Sequence, residues 1–325
     1  MKICIVGAGS IGGFIGARLA RSGQASVSAV ARGDTLAALR QHGWRLREQG
    51  ALLQVPAFAV ENPTELGVQD VVVVAVKAQA MGQVGASIGP LLGPHTIVLP
   101  AMNGVPWWFA HGIAALGQAP LENLDPGARI AAAIPFEQVV GCVVHASTWR
   151  SEPGLVEHRM GQGLIIGDAG GGVSVAAERL GQVLLAAGFE LTLSTNIRQD
   201  IWYKLWGNMT MNPVSAITGA TIDMVLDDPL VRSFCSAAMA EASAVGALIG
   251  CAISQTPDQR QDITRKLGRF KTSMLQDVEA GRPIELDALV TVVHEMALRL
   301  GVATPNIDAL LGLTRLFGRV HGLYE

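Results

Sequence analysis

Short apolar runs alternate with amphipathic stretches up to about residue 195, after which helical periodicity alone remains. Residues 2–6 (KICIV) have strand character and are followed at once by a glycine cluster; residues 14–22 read as a helix with small residues at Gly16 and Ala17. A second strand is expected at 25–31 and a small β excursion at 44–60. Residues 71–76 are a β-branched run of the kind buried on both faces of a parallel sheet. Another strand is expected at 96–99, then strand-rich sequence at 138–149, 154–158 and 164–166, broken by Pro153 and glycines. These last three look antiparallel and are expected to extend the same sheet. Residues 176–187 read as a helix and 190–193 as a short final strand.

From residue 196 onward helices are expected at 197–212, 228–248, 272–279, 286–300 and 306–317, with Pro213, Pro229, Pro257 and Pro305 at starts or breaks. The pattern divides the chain into an α/β domain, 1–195, and an all-helical domain, 196–325. A length of 325 residues agrees, being long for one core.

Composition narrows the function. A net charge of −3 gives no electrostatic case for nucleic acid or an anionic membrane. Cys4, Cys142, Cys235 and Cys251 are scattered without a CxxC pair, which suits reduced thiols rather than disulfides or zinc. The seven histidines include no pair at metal-ligand spacing, so no metal is expected. The opening MKICIVGAG lacks the charged region and cleavage site of a signal peptide, and no apolar run suits a membrane span. A cytoplasmic location is the expectation. GxSxG and GxxxxGK[ST] are both absent, against hydrolase and phosphoryl-transfer readings.

Three stretches carry chemistry. Gly7-Ala8-Gly9-Ser10-Ile11-Gly12 is GxGxxG between a strand and a helix. In that order the first glycine makes the turn and the second admits a pyrophosphate to the backbone. The third lets helix and strand pack closely, and the helix N-terminus offers N–H groups to the anion. Arg32 follows the second strand, where a guanidinium suits the 2′-phosphate of NADP, with Asp34 two residues on. Lys77 and Asn103 end further strands at the edge where such sheets bind ligands.

The second stretch is Lys204, Asn208 and Asn212, four residues apart and so on one face of an otherwise apolar helix. Either this stripe faces water and Lys204 snorkels, or it lines a cleft as an acid with two orienting amides. The third runs from Thr272 and Ser273, both able to cap a helix, through Gly281 to Glu285. A functional reading puts the Ser273 hydroxyl and Glu285 carboxylate with Lys204.

Together GAGSIGG, Asn103-Gly104, K-L-x-x-N-x-x-x-N-P from Lys204 and S-M-L-Q-D…G-R-P-I-E from Ser273 resemble the ketopantoate reductases, from Met1 to about Asn306. The resemblance implies a Rossmann domain followed by a helical domain, with NADP(H) and a 2-oxo acid as ligands. It implies Lys204 as general acid, and Asn103, Asn208, Asn212 and Ser273 as substrate contacts. Gly7, Ala8, Gly9, Ser10, Ile11, Gly12, Arg32, Lys77, Asn103, Ala146 and Glu285 would contact the cofactor.

Two positions depart from the family. A further substrate asparagine is missing near Ile222, and Val290-Thr291 replaces Asn-Gly. Trp107-Trp108 also suggest a bulky aromatic lining. A reductase of a bulkier 2-oxo acid, or a non-catalytic nucleotide sensor, are therefore alternatives to ketopantoate reduction. The Ala, Met and Leu content of the helical domain suits either a homodimer interface or a core.

Overall fold

The computed structural model describes all 325 residues, which form two compact units. The first is Met1–Asn103 with Ala128–Asp200, and the second is Gly104–Gly127 with Ile201–Glu325.

The first unit contains β1 (Lys2–Val6), α1 (Ser10–Ser22), β2 (Ser26–Val30), α2 (Gly33–His42), β3 (Trp44–Glu48), β4 (Ala51–Val55), β5 (Phe58–Val60) and β6 (Val71–Val74). It continues with α3 (Met81–Ser87), β7 (Ile97–Pro100), α4 (Arg129–Ala133), β8 (Val140–Glu152), β9 (Leu155–Asp168), α5 (Val175–Ala186) and β10 (Glu190–Leu193). One sheet has the order β5-β2-β1-β6-β7 with every pair parallel. Its central strands lack alternation because they are covered on both faces: Ile3, Ile5 and Val71 to Val74 are fully buried. The strand order reverses between β1 and β6, and ligands of open α/β sheets bind at the carboxyl edge of such a switch.

The strands expected at 138–166 do not extend this sheet. β8 and β9 pair antiparallel within a second sheet of order β10-β9-β3-β4, and one isolated bridge, Val98–Val139, links to the first sheet. The 44–60 excursion divides: β3 and β4 enter the second sheet through β3 and β9, while β5 joins the first. Alternation identifies a strand and its buried face, but not which sheet receives it.

Helix α1 packs on strands of both sheets. A Cβ built on Gly16 would lie 2.4 Å from the Trp44 ring. Arg18, only 6% exposed, forms an ion pair with Glu48, donates to Gly188 O at 2.8 Å and lies over the Phe14 ring.

The second unit begins within α6 (Ile197–Thr218) and adds α7 (Ile222–Asp227), α8 (Pro229–Leu248), α9 (Pro257–Arg265) and α10 (Ser273–Glu279). A π-turn at Asp287–Thr291 then precedes α11 (Val292–Leu300) and α12 (Pro305–Val320). α6 continues past Pro213, which was expected to end it. Met209 to Ala216 are buried throughout, and that packing holds the turn despite the missing N–H. α9 was not expected, since PDQRQDITR has no apolar stripe; its readable signal is the Thr256–Gln259 capping box.

Residues 104–127 group with the helices of the second unit. Glu295 accepts the Glu122 and Asn123 N–H groups at 3.0 and 3.2 Å, and Arg299 donates to Ala119 O at 2.8 Å. Phe109 stacks on Trp202 of α6 at 6.0 Å. No helix is long and apolar enough to cross a membrane.

All four cysteines are buried thiols outside any disulfide, and burial pushes the Cys4 and Cys235 thiols up to about 12. The native protein should therefore show no fast thiol titration with an aromatic disulfide reagent, and four thiols after denaturation. A thiol reacting within seconds in the native state would contradict this packing.

Candidate active site

The sheet unit gathers its candidate residues at one edge. β1 ends at Val6, and Gly7 (φ +90°) turns the chain there, donating its N–H to Val30 O at 3.0 Å. A Cβ on Gly7 would stand 2.9 Å from Ala75 O, and one on Gly12 would stand 2.0 Å from Gly7 O. These two positions exclude a side chain for reasons internal to the protein. Gly9 differs: a Cβ there would meet no protein atom within 4 Å. It is the N-cap of α1, makes no side-chain cap, and no acidic residue lies in the first turn. Ser174, Asp228, Thr256 and Thr272 do cap α5, α8, α9 and α10 with their side chains. The N-terminus of α1 thus presents N–H groups to open space, which fits a dinucleotide pyrophosphate.

Arg32 is exposed at the N-cap of α2, just past β2. Arg150 of β8 donates to Thr35 Oγ1 at 3.1 Å, bringing a second guanidinium to the first turn of α2. No motif at position 150 signals this; it follows from strand pairing across the unit. Lys77, half-buried, follows β6 at the head of a short turn, and Asn103, also half-buried, follows β7. Ala146 falls at a register shift of β8 between His145 and Ser147, so it has no partner across the β8–β9 ladder. The extra residue of this bulge lies in β9, where Gly161 and Gln162 together face Ala146.

The helical unit holds the others. Lys204 and Asn208 are half-buried and Asn212 is 5% exposed, on one face of α6. The stripe is therefore not a solvated surface face. The rest of α6 is core: Trp202, Trp206 and Met209 are fully buried, and Trp206 Nε1 donates to Met239 O at 2.7 Å. Ser273 is exposed at the start of α10, and the capping is done by Thr272, whose Oγ1 accepts the Leu275 N–H at 3.1 Å. Ser273 is thus left without a capping duty. Glu285, half-buried, lies between the fully buried Ile284 and Leu286, just before the π-turn.

Trp107 and Trp108 are 6% and 3% exposed, as deeply set as Asn212. Ile222 is a core residue of the helical unit, beside Met211 and Leu226.

A parallel sheet with a glycine turn at its switch point, joined to a helical unit bearing a lysine–amide stripe, defines a dinucleotide-dependent oxidoreductase. The profile of "Ketopantoate reductase PanE/ApbA" matches residues 3–171, and that of "Ketopantoate reductase PanE/ApbA C terminal" matches 196–317. A 2-dehydropantoate 2-reductase of Mesorhizobium japonicum is 40% identical over the whole of both chains. The crystal structure of a ketopantoate reductase candidate from Ralstonia solanacearum MolK2 superposes with a TM-score of 0.95 at 53% identity, covering 99% of each chain. A D-mandelate dehydrogenase crystallised with NADH has the same fold, with a TM-score of 0.85 at 21% identity over 99% of this chain and 100% of that one. The chain belongs to the ketopantoate reductase family of NADP-dependent oxidoreductases.

The two glycines separate folding from binding. Gly9→Ala should cost no more than about 1 kcal/mol of stability yet weaken NADPH binding strongly, since its methyl enters the anion's space. Gly12→Ala should lower stability by about 3 kcal/mol, because backbone must move. Thermal unfolding beside NADPH fluorescence titration checks both. Equal NADPH affinity in Gly9→Ala and wild type would refute the pyrophosphate assignment.

Proposed function

We propose that this protein reduces 2-dehydropantoate to pantoate with NADPH, with Lys204 as the general acid. The carrying observation is the half-buried Lys204–Asn208–Asn212 stripe on an otherwise core helix. The full-length similarity to a 2-dehydropantoate 2-reductase supports the substrate.

The α1 N-terminus with Gly7 to Gly12 would hold the pyrophosphate, Arg32 the 2′-phosphate with Arg150 beside it, and Glu285 a ribose. Lys77, Asn103 and the backbone of Ala146 would complete that set. When bound, the cofactor supplies the hydride. As the substrate's keto carbon is reduced, negative charge grows on its oxygen. The Lys204 ammonium stabilises that charge and delivers its proton to the oxygen, yielding the hydroxyl. The amine then regains a proton from solvent. Asn103, Asn208, Asn212 and Ser273 offer amide and hydroxyl groups to the carboxylate and hydroxyl of the 2-oxo acid, holding the keto group in reach of Lys204.

A sensor that only bound nucleotide would have no use for a lysine and two amides on a buried helix. A panel of 2-oxo acids with NADPH, followed by its absorbance, tests the reading. Ketopantoate should be turned over best, and preference for a bulkier 2-oxo acid would reject the substrate assignment. Lys204→Ala should lower kcat by about 10²–10⁴-fold while NADPH still binds; an unchanged rate would reject the acid. Arg32→Ala should raise the KM for NADPH and leave that for NADH nearly unaltered.

A further inference from the structure

The π-turn Asp287–Thr291 is gripped from two sides. A π-turn inserts one residue into a helix and frees a carbonyl from the regular ladder. On one side Ala288 O accepts the Val105 N–H at 2.8 Å. Gly104 (φ +76°) lies so close that a Cβ would stand 2.2 Å from the same oxygen.

On the other side, the chain leaving α12 folds back onto the turn. Leu323 O accepts the Ile284 N–H at 2.9 Å, and Tyr324 Oη donates to Asp287 Oδ1 at 2.6 Å. This return is itself anchored. Leu323 is 5% exposed and its N–H donates to Gly318 O at 2.7 Å. Gly318 leaves the room that Tyr324 fills, since a Cβ there would lie 2.6 Å from the Tyr324 Cβ. Burial and the Asp287 carboxylate push the Tyr324 phenol up to about 12, so it remains a donor at ordinary pH. Glu285 is enclosed between these bonds, one residue after Ile284 and two before Asp287.

We propose that Tyr324 is a positioning residue for NADPH binding: its hydrogen bond to Asp287, with that of Leu323 to Ile284, fixes the backbone from which Glu285 projects. The inference rests on the reading of Glu285 as a ribose contact. Nothing in the region 318–325 signals such a role by motif; Tyr324 is identified by what it touches.

The test uses the full chain as wild type, Tyr324→Phe, Glu285→Gln and the double variant, measuring NADPH affinity and thermal unfolding. Tyr324→Phe keeps the ring over Gly318 and removes one hydrogen bond. It should weaken NADPH binding about 3–10-fold, as loss of one hydrogen bond does. In turnover the loss should fall on the NADPH KM rather than on kcat at saturation. The double variant should bind no more weakly than Glu285→Gln alone, because Tyr324 acts through Glu285. NADPH should also slow hydrogen exchange of the Ile284 amide in the wild type, a readout independent of any variant's folding.

Affinity of Tyr324→Phe within about twofold of wild type would overturn the proposal. Additive losses in the double variant, or Ile284 exchange indifferent to NADPH, would do so too. If Glu285→Gln is weakened and Tyr324→Phe is not, the Glu285 reading stands and only the role of Tyr324 falls. If Glu285→Gln binds like wild type, both fall.

Discussion

The sheet unit depends on how closely α1 approaches the strands beneath it. Three glycines on one helix make that approach: a Cβ on Gly12 would strike Gly7 O, on Gly13 the Val156 side chain, and on Gly16 the Trp44 ring. The helix can therefore lie on strands of both sheets at once, and Arg18 can reach Glu48 and Gly188 from it. Glycine costs about 1 kcal/mol in a helix interior, and here the dispersion contacts of Phe14, Ile15 and Leu19, all fully buried, offset it. The same approach aims the uncapped helix N-terminus at the switch point of the parallel sheet. Packing and the orientation of that helix end thus have one cause, and of Gly7, Gly9 and Gly12 only Gly9 is spared a packing duty.

The helical unit meets the opposite constraint. α6 is buried over most of its circumference, and an amide such as Asn212 at 5% exposure costs free energy unless its polar atoms are used. A structural helix would carry leucine or methionine there, as it does at Leu205, Met209 and Met211. The substrate contacts proposed above rest on this polar stripe, retained against that cost. Thr272 takes the capping of α10 and leaves the Ser273 hydroxyl without that duty.

Much of this was legible in the sequence because it is local. GxGxxG between strand and helix, the fourfold spacing from Lys204, and the loss of strand signal after residue 195 are short-range patterns with direct physical meaning. Sheet membership was not legible, since β8 and β9 look the same whether they extend one sheet or build another. α9 was missed because its stability comes from a capping box and tertiary contacts rather than an apolar stripe. The bulge of β9 facing Ala146 and the place of Arg150 beside Thr35 depend on strand register, which a single chain read in order does not reveal. The grouping of 104–127 with the helices was not legible for a similar reason: its anchors, Glu295 and Arg299, lie more than a hundred residues away.

The departures from the family pattern acquire a physical meaning once their burial is known. Ile222 is 1% exposed in an apolar cluster, and Val290 is fully buried inside the π-turn. Trp107 and Trp108 are nearly inaccessible, beside a Phe109 that stacks on Trp202. Ile222 and Val290 thus serve apolar packing in the helical unit, and Trp107 and Trp108 are as deeply set as Asn212 at 5% exposure. The stripe and Ser273, which the core does not need, match the family motif residue for residue. What disfavours a larger 2-oxo acid is therefore not the burial of these residues but the 40% identity to a 2-dehydropantoate 2-reductase over the full length of both chains.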